Sequence, residues 1–134
     1  MSEVWTHKQY QSYLTDTDEH ALQSALIAWA HSHKCNALHL LYANVNGQYR
    51  RGQRPEAGLV AGVPDLTLPI PRDPWHGLYM ELKVEENDLT PAQFDWLIRL
   101  DSWGYAVTTC WTLETAKASL LEYLHDPGAF VSGP

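Results

Sequence analysis

A chain of 134 residues is one domain's worth, and 45% apolar against 19% charged residues is the balance of a folded globular protein, which argues against a disordered segment. A formal charge of -7 argues against non-specific coating of nucleic acid, which Lys and Arg would have to carry, but leaves room for an enzyme with clustered carboxylates. No apolar run approaches the roughly 20 residues needed to span a bilayer, and residues 1–10 lack the marks of a signal peptide, so no membrane role and a cytoplasmic location are expected.

The first element reads as a helix from Asp16, a possible N-cap with Glu19 three residues on, and Leu22, Leu26 and Trp29 recur at helical spacing as far as about Lys34. His31, His33 and Cys35 alternate like metal ligands, yet no second cluster completes a tetrahedral zinc site. Cys35 and Cys110 are too few for a disulfide framework and read as reduced thiols. Ala37 to Val45 is rich in strand formers and closes on the Asn46-Gly47 turn signal.

From Gly47 to Gly62 the chain reads as a long loop. Arg50, Arg51 and Arg54 put three of the nine basic residues there, beside Tyr49, as a strip for phosphate contact or as a solvated surface. Two strands are expected at Val63–Ile70 and Gly77–Val84, joined by the turn-prone Pro71-Arg72-Asp73-Pro74. Thr90-Pro91-Ala92-Gln93 is a helix start with N-cap, N1 proline and capping-box glutamine, and Gly104 is placed to end that helix. Tyr105 to Trp111 reads as a fourth strand, and Thr112 caps a last helix reaching about Leu124. The expected order is αβββαβα: a four-stranded mixed sheet flanked by helices in an α/β domain over residues 1–134, with its core at about 18–124.

Side chains alternate along a strand, so Tyr79, Glu81 and Lys83 share one face of the third strand and Met80, Leu82 and Val84 the other. In the preceding strand Leu66, Leu68 and Ile70 form an apolar face opposite Asp65 and Thr67. If the apolar faces coincide, Asp65 and Glu81 converge. Two close carboxylates repel unless a cation compensates, and hard oxygen ligands suit Mg²⁺ or Mn²⁺. Such an ion polarises a phosphodiester and lowers the pKa of an attacking water, with Lys83 placed to hold that water. The plainer alternative makes Glu81 and Lys83 an exposed ion pair and Asp65 a turn residue after Pro64.

Gly62-Val63-Pro64-Asp65-Leu66, Glu81-Leu82-Lys83 and Leu89-Thr90-Pro91-Ala92-Gln93-Phe94-Asp95-Trp96, in that order, resemble the core of the PD-(D/E)XK nucleases and, more narrowly, their virus-type replication-repair nuclease (VRR-NUC) branch. The resemblance runs from about Asp18 to Leu124 and implies a restriction-endonuclease-like fold. It implies that Asp65, Glu81 and the Leu82 carbonyl bind the metal and that Lys83 serves the water or the scissile phosphate, leaving a 5′-phosphate product. Glu19 matches the family's first-helix acid, joining the metal directly or through water, or else only capping its helix. Gln93 matches the glutamine after the catalytic strand and is a capping-box residue as well. Tyr42 and Asn44 end the first strand within reach of the site. Trp29, Trp96 and Trp111 are expected in the core, although tryptophans can also stack on bases.

The function so implied is a metal-dependent, structure-selective DNA endonuclease, taken as a Holliday-junction resolvase that works as a homodimer on branched DNA in a bacterial or phage-infected cell. The alternatives are a non-catalytic or accessory nucleic-acid-binding subunit of a replication or repair assembly, and a flap-type nuclease. The intact Asp65, Glu81 and Lys83 set speaks against a purely binding role, since binding alone needs no carboxylate pair.

Overall fold

The computed structural model describes residues 7–45 and 57–134, with side chains from residue 18 onward. Arg50, Arg51 and Arg54 lie outside the described residues. The element order is α1 (His7–Ser32), a 3-10 segment (Asn36–Leu40), β1 (Tyr42–Ala43), β2 (Leu66–Leu68), β3 (Leu78–Leu82), α2 (Pro91–Ser102), β4 (Ala106–Cys110) and α3 (Leu113–His125). The strands form one sheet in the order β1-β2-β3-β4, antiparallel across β1–β2 and β2–β3 and parallel across β3–β4. The mixed sheet flanked by helices expected from the sequence is therefore present. Among the described residues no helix is long and apolar enough to cross a membrane.

Two elements differ from expectation. The first helix begins at His7, not Asp16, because no Gly or Pro interrupts residues 7–32 and its two aspartates, Asp16 and Asp18, are tolerated within a helix. Asp16 is thus no N-cap, and Glu19 cannot be a capping-box residue; it stands within a 26-residue helix. The stretch read as a strand from Ala37 is mostly 3-10 helix, with only Tyr42 and Ala43 paired in the sheet. Leu38 and Leu41 are the buried members there, a spacing of three that suits a 3-10 turn, and Leu41 N–H donates to Leu38 O at 3.2 Å.

The Thr90 box and the Thr112 cap are as read, and Thr115 makes the second cap a box as well. Thr90 and Gln93 exchange bonds at the start of α2, and Thr112 and Thr115 do so at the start of α3. The core lies between the sheet and the α1/α3 layer, where Leu26, Ala30, Leu66, Leu68, Leu78, Met80, Leu82, Ala116 and Leu120 are packed. Tyr123 closes its far side, donating to Ile70 O at 2.5 Å and meeting Phe130 edge-on. The opposite face is covered by α2 where it packs on β4, and Leu97 and Val107 are fully buried there.

The two sheet edges are treated differently. Along β4, Val107 N–H donates to Ser132 Oγ at 2.9 Å and Val107 O accepts from Gly133 N at 2.9 Å, while Ser132 Oγ donates to Asp101 Oδ1 at 2.7 Å. The C-terminal tail therefore lies along that edge. The outer edge of β1 has no strand partner among the described residues.

Candidate active site

The register determines what faces what. Leu66 pairs with Met80 and Thr67 with Tyr79, so one step further Asp65 stands across from Glu81 on the face away from the α1/α3 core. Glu81 in turn pairs with Thr109 of β4. Asn44 sits beyond β1 at the other end of this row, its backbone N–H donating to Asp65 O at 2.8 Å. One polar row, Asn44, Asp65, Glu81 and Thr109, thus crosses four strands.

Three of its members, Asn44, Asp65 and Glu81, are held by side-chain hydrogen bonds. Asn44 Nδ2 donates to Pro64 O at 2.9 Å and to Thr67 Oγ1 at 2.8 Å, so one side chain ties the backbone before Asp65 to the Thr67 hydroxyl after it. Asp65 Oδ2 accepts from Leu82 N–H at 2.8 Å, which draws the carboxylate toward the end of β3. Lys83 continues β3 along β4, its N–H donating to Cys110 O at 2.9 Å. Gln93, from the first turn of α2, donates through Nε2 to Glu81 Oε1 at 3.1 Å.

Glu81 is only 2% exposed and Lys83 6%, so the reading of these two as an ordinary exposed pair does not hold. Burial above all, and next the negative charge of Asp65, push the Glu81 carboxyl up from 4.5 to about 9; Lys83 opposes that rise and Glu19 adds a weaker push in the same direction. The other Glu81 oxygen, Oε2, is buried without a hydrogen-bond partner, and so is Thr109 Oγ1 on the neighbouring strand. Buried oxygens without a donor are costly; at Glu81 a proton shared with Asp65 or a bound cation would relieve that cost.

A hard divalent cation fits this donor set, with Asp65, Glu81 and the Leu82 carbonyl at the end of β3 as the residues that would hold it. Among the described residues no group of three or more His, Cys, Asp or Glu side chains is arranged to hold a metal, so the fit rests on two carboxylates and the main chain. Glu19 is near enough for its charge to act weakly on Glu81. His31 and His33 are engaged elsewhere: His31 Nε2 donates to Leu41 O at 2.8 Å, and His33 Nδ1 accepts from Cys35 N–H at 3.0 Å.

Sequence reasoning reached Asp65, Glu81, Lys83 and Gln93, which the structure brings together, and placed Asn44 within reach. It missed Thr109, whose only signal is the parallel register of β3 with β4. It also missed the grip of Asn44 on Pro64 and Thr67. Trp29 packs on the core as expected, but Trp111 is 39% exposed and donates to Asn87 O at 2.9 Å.

Comparison with known proteins bears on this arrangement. No curated protein matches the chain. A solved structure described as a VRR-NUC domain protein superposes with a TM-score of 0.67 at 24% identity, covering 79% of this chain and 87% of its own, which supports a restriction-endonuclease-like fold. The family model of the VRR-NUC domain matches residues 5–112, from before α1 to the cap of α3. The whole polar row, with Glu19, Lys83 and Gln93, falls inside that match, and the chain belongs to the VRR-NUC domain family.

Proposed function

We propose that the chain is a Mg²⁺- or Mn²⁺-dependent DNA endonuclease of the PD-(D/E)XK type, with Asp65, Glu81 and Lys83 at its centre. Membership of the family makes it a nuclease domain. The observation that supports this site is the pairing of buried Glu81 with half-buried Asp65, in which Glu81 Oε2 meets no protein donor and the carboxyl is held far above its ordinary range. A divalent cation bound there offsets the carboxylate charge, polarises the phosphodiester and lowers the pKa of a nearby water. Gln93 holds Glu81 through Oε1, which leaves Oε2 for the metal side. The Leu82 N–H holds Asp65 by one oxygen, leaving the other available. Lys83, buried beside Glu81, presents positive charge to the attacking water or to the scissile phosphate. Arg50, Arg51 and Arg54 supply phosphate contacts further along the strand.

The finer reading is a homodimer that resolves four-way junctions. A nuclease core of this size presents a short surface, and two-fold pairing is the commonest way to enlarge it. Leu40, Tyr42 and Val45 leave apolar surface exposed around the open β1 edge, where a second copy can cover it. One experiment tests both levels: labelled duplexes, flaps, splayed arms and four-way junctions are incubated with the protein and Mg²⁺ or Mn²⁺. Cleavage of junctions above all is expected. Equal cutting of flaps and junctions by a protein that scatters light as a monomer removes the resolvase reading, and no cutting at all removes the nuclease.

A further inference from the structure

The first turn of α2 carries Gln93 to Glu81, and two features on either side of that turn determine how the amide arrives. A glutamine amide has a donor end and an acceptor end of nearly equal shape, so its contacts decide which end faces a neighbour. Thr90 N–H donates to Gln93 Oε1 at 2.9 Å. That bond occupies the acceptor end and leaves Nε2 facing Glu81 Oε1 at 3.1 Å. Turned over, the amide would set its oxygen against a carboxyl oxygen and its NH₂ against an N–H. The Thr90 hydroxyl accepts from Gln93 N–H at 3.2 Å and fixes residue 90 in the extended conformation, φ -70° and ψ 159°, that aims its own N–H.

The second feature is Gly62, three residues before Asp65. Its φ is +93°, and a Cβ placed on it would lie 2.7 Å from Ala92 C and O and 2.9 Å from Ala92 Cβ. The loop that delivers Asp65 therefore rests directly on the residue before Gln93. Gly58 shares the left-handed conformation, at φ +89°, but a Cβ there meets nothing within 4 Å. At Gly62, unlike Gly58, the absence of a side chain governs how closely the loop approaches the backbone of α2. An added methyl would drive them apart on the order of 1 Å, enough to spoil a catalytic arrangement.

We propose that Thr90 and Gly62 are positioning residues of this nuclease, Thr90 setting which end of the Gln93 amide meets Glu81 and Gly62 setting how closely it does so. The proposal rests on the nuclease reading above. Neither residue touches the reacting atoms; each acts through Gln93.

The test uses the full chain with Thr90→Val, Thr90→Ser, Gly62→Ala and Gly58→Ala. One readout is independent of activity: the side-chain amide ¹H–¹⁵N signals of Gln93 in metal-free protein, assigned by their loss in Gln93→Leu. The other is the single-turnover cleavage rate on a labelled four-way junction with Mn²⁺, alongside the Kd for that DNA. Thr90→Val and Gly62→Ala are expected to shift the Gln93 signals and to lower the rate by about ten- to a hundredfold with Kd changed by less than about threefold. Thr90→Ser and Gly58→Ala are expected to match wild type in both. Unshifted Gln93 signals in Thr90→Val overturn the proposal, and so does a Gly58→Ala loss equal to that of Gly62→Ala, which would make backbone strain the whole effect. If Gly62→Ala does not fold, the Thr90 pair decides. Absence of cleavage by the wild type overturns the nuclease reading instead, and the amide signals still report on the positioning.

Discussion

The two faces of β3 handle the loss of water in opposite ways. On one, Leu78, Met80 and Leu82 are each 1% exposed and bury hydrocarbon against α1 and α3, where desolvation is the source of stability. On the other, Glu81 and Lys83 are almost as deeply buried and are ionisable, so desolvation is a cost and holds Glu81 toward its protonated form. Five residues of one strand thus hold both the part of the fold that stabilises it and the part that works against it. A site that opposes its own fold in this way suits the proposed binding of a cation, which would offset the cost.

The largest expected effect breaks this contrast at its charged face. Asp65→Asn and Glu81→Gln should each lower cleavage by about a thousandfold or more while leaving the fold intact, since neither removes packing. Wild-type rates in either variant would remove that residue from the site. The apolar face should answer in reverse. Met80→Ala should cost about 2–5 kcal/mol in chemical denaturation, and the folded fraction should still cut DNA at a rate within about tenfold of wild type. Lys83→Ala should lower the chemical step by about a hundredfold with Mn²⁺ affinity nearly unchanged. Lost metal affinity with full turnover at saturating Mn²⁺ would move Lys83 from the water to the ion.

A smaller effect sharpens the comparison through pH. Folding raises the Glu81 carboxyl from 4.5 to about 9, so the native state holds a proton that the unfolded chain releases. That contribution is fully present below pH 4.5 and is lost as pH rises toward 9, at up to about 1.4 kcal/mol per pH unit. Glu81→Gln has no such proton to lose. Thermal melts in chelator should therefore show the variant gaining on wild type as pH rises from 5 to 9, and added Mn²⁺ should raise the wild-type midpoint much more than that of the variant. Parallel curves for the two proteins would show that Glu81 does not titrate in this way.

How far the sequence discloses this depends on the range of the interaction that carries each feature. Asp65 and Glu81 are legible because period-two alternation assigns each to a face, and the two apolar faces can coincide in only one way. The α2 cap is legible because Thr90 and Gln93 speak to each other across three residues. Thr109 is not, because its place beside Glu81 comes from a parallel pairing across an intervening helix, which no local pattern encodes. The start of α1 misleads for the opposite reason: Asp16 with Glu19 is a good local cap signal, overridden by a helix that simply continues through it. Gln93 shows both levels together, since the capping motif names the residue and only the structure shows which end of its amide turns to Glu81.

The tail beside β4 has a bearing on how copies of this chain can associate. With Val107 already bonded to Ser132 and Gly133, the sheet offers one free edge among the described residues, that of β1. A sheet with a single free edge can join another at that edge and then has nothing left to offer, so association through strands closes at two copies. A sheet with both edges free can add copies without end, the geometry of fibres. Residues 131–134 therefore cover part of the β4 edge, at Val107. Truncation after Phe130, which keeps that buried ring in place, should bare the β4 edge and give light scattering that grows with concentration and time. A truncated chain that stays the size of the intact one would show that the edge is guarded by something else.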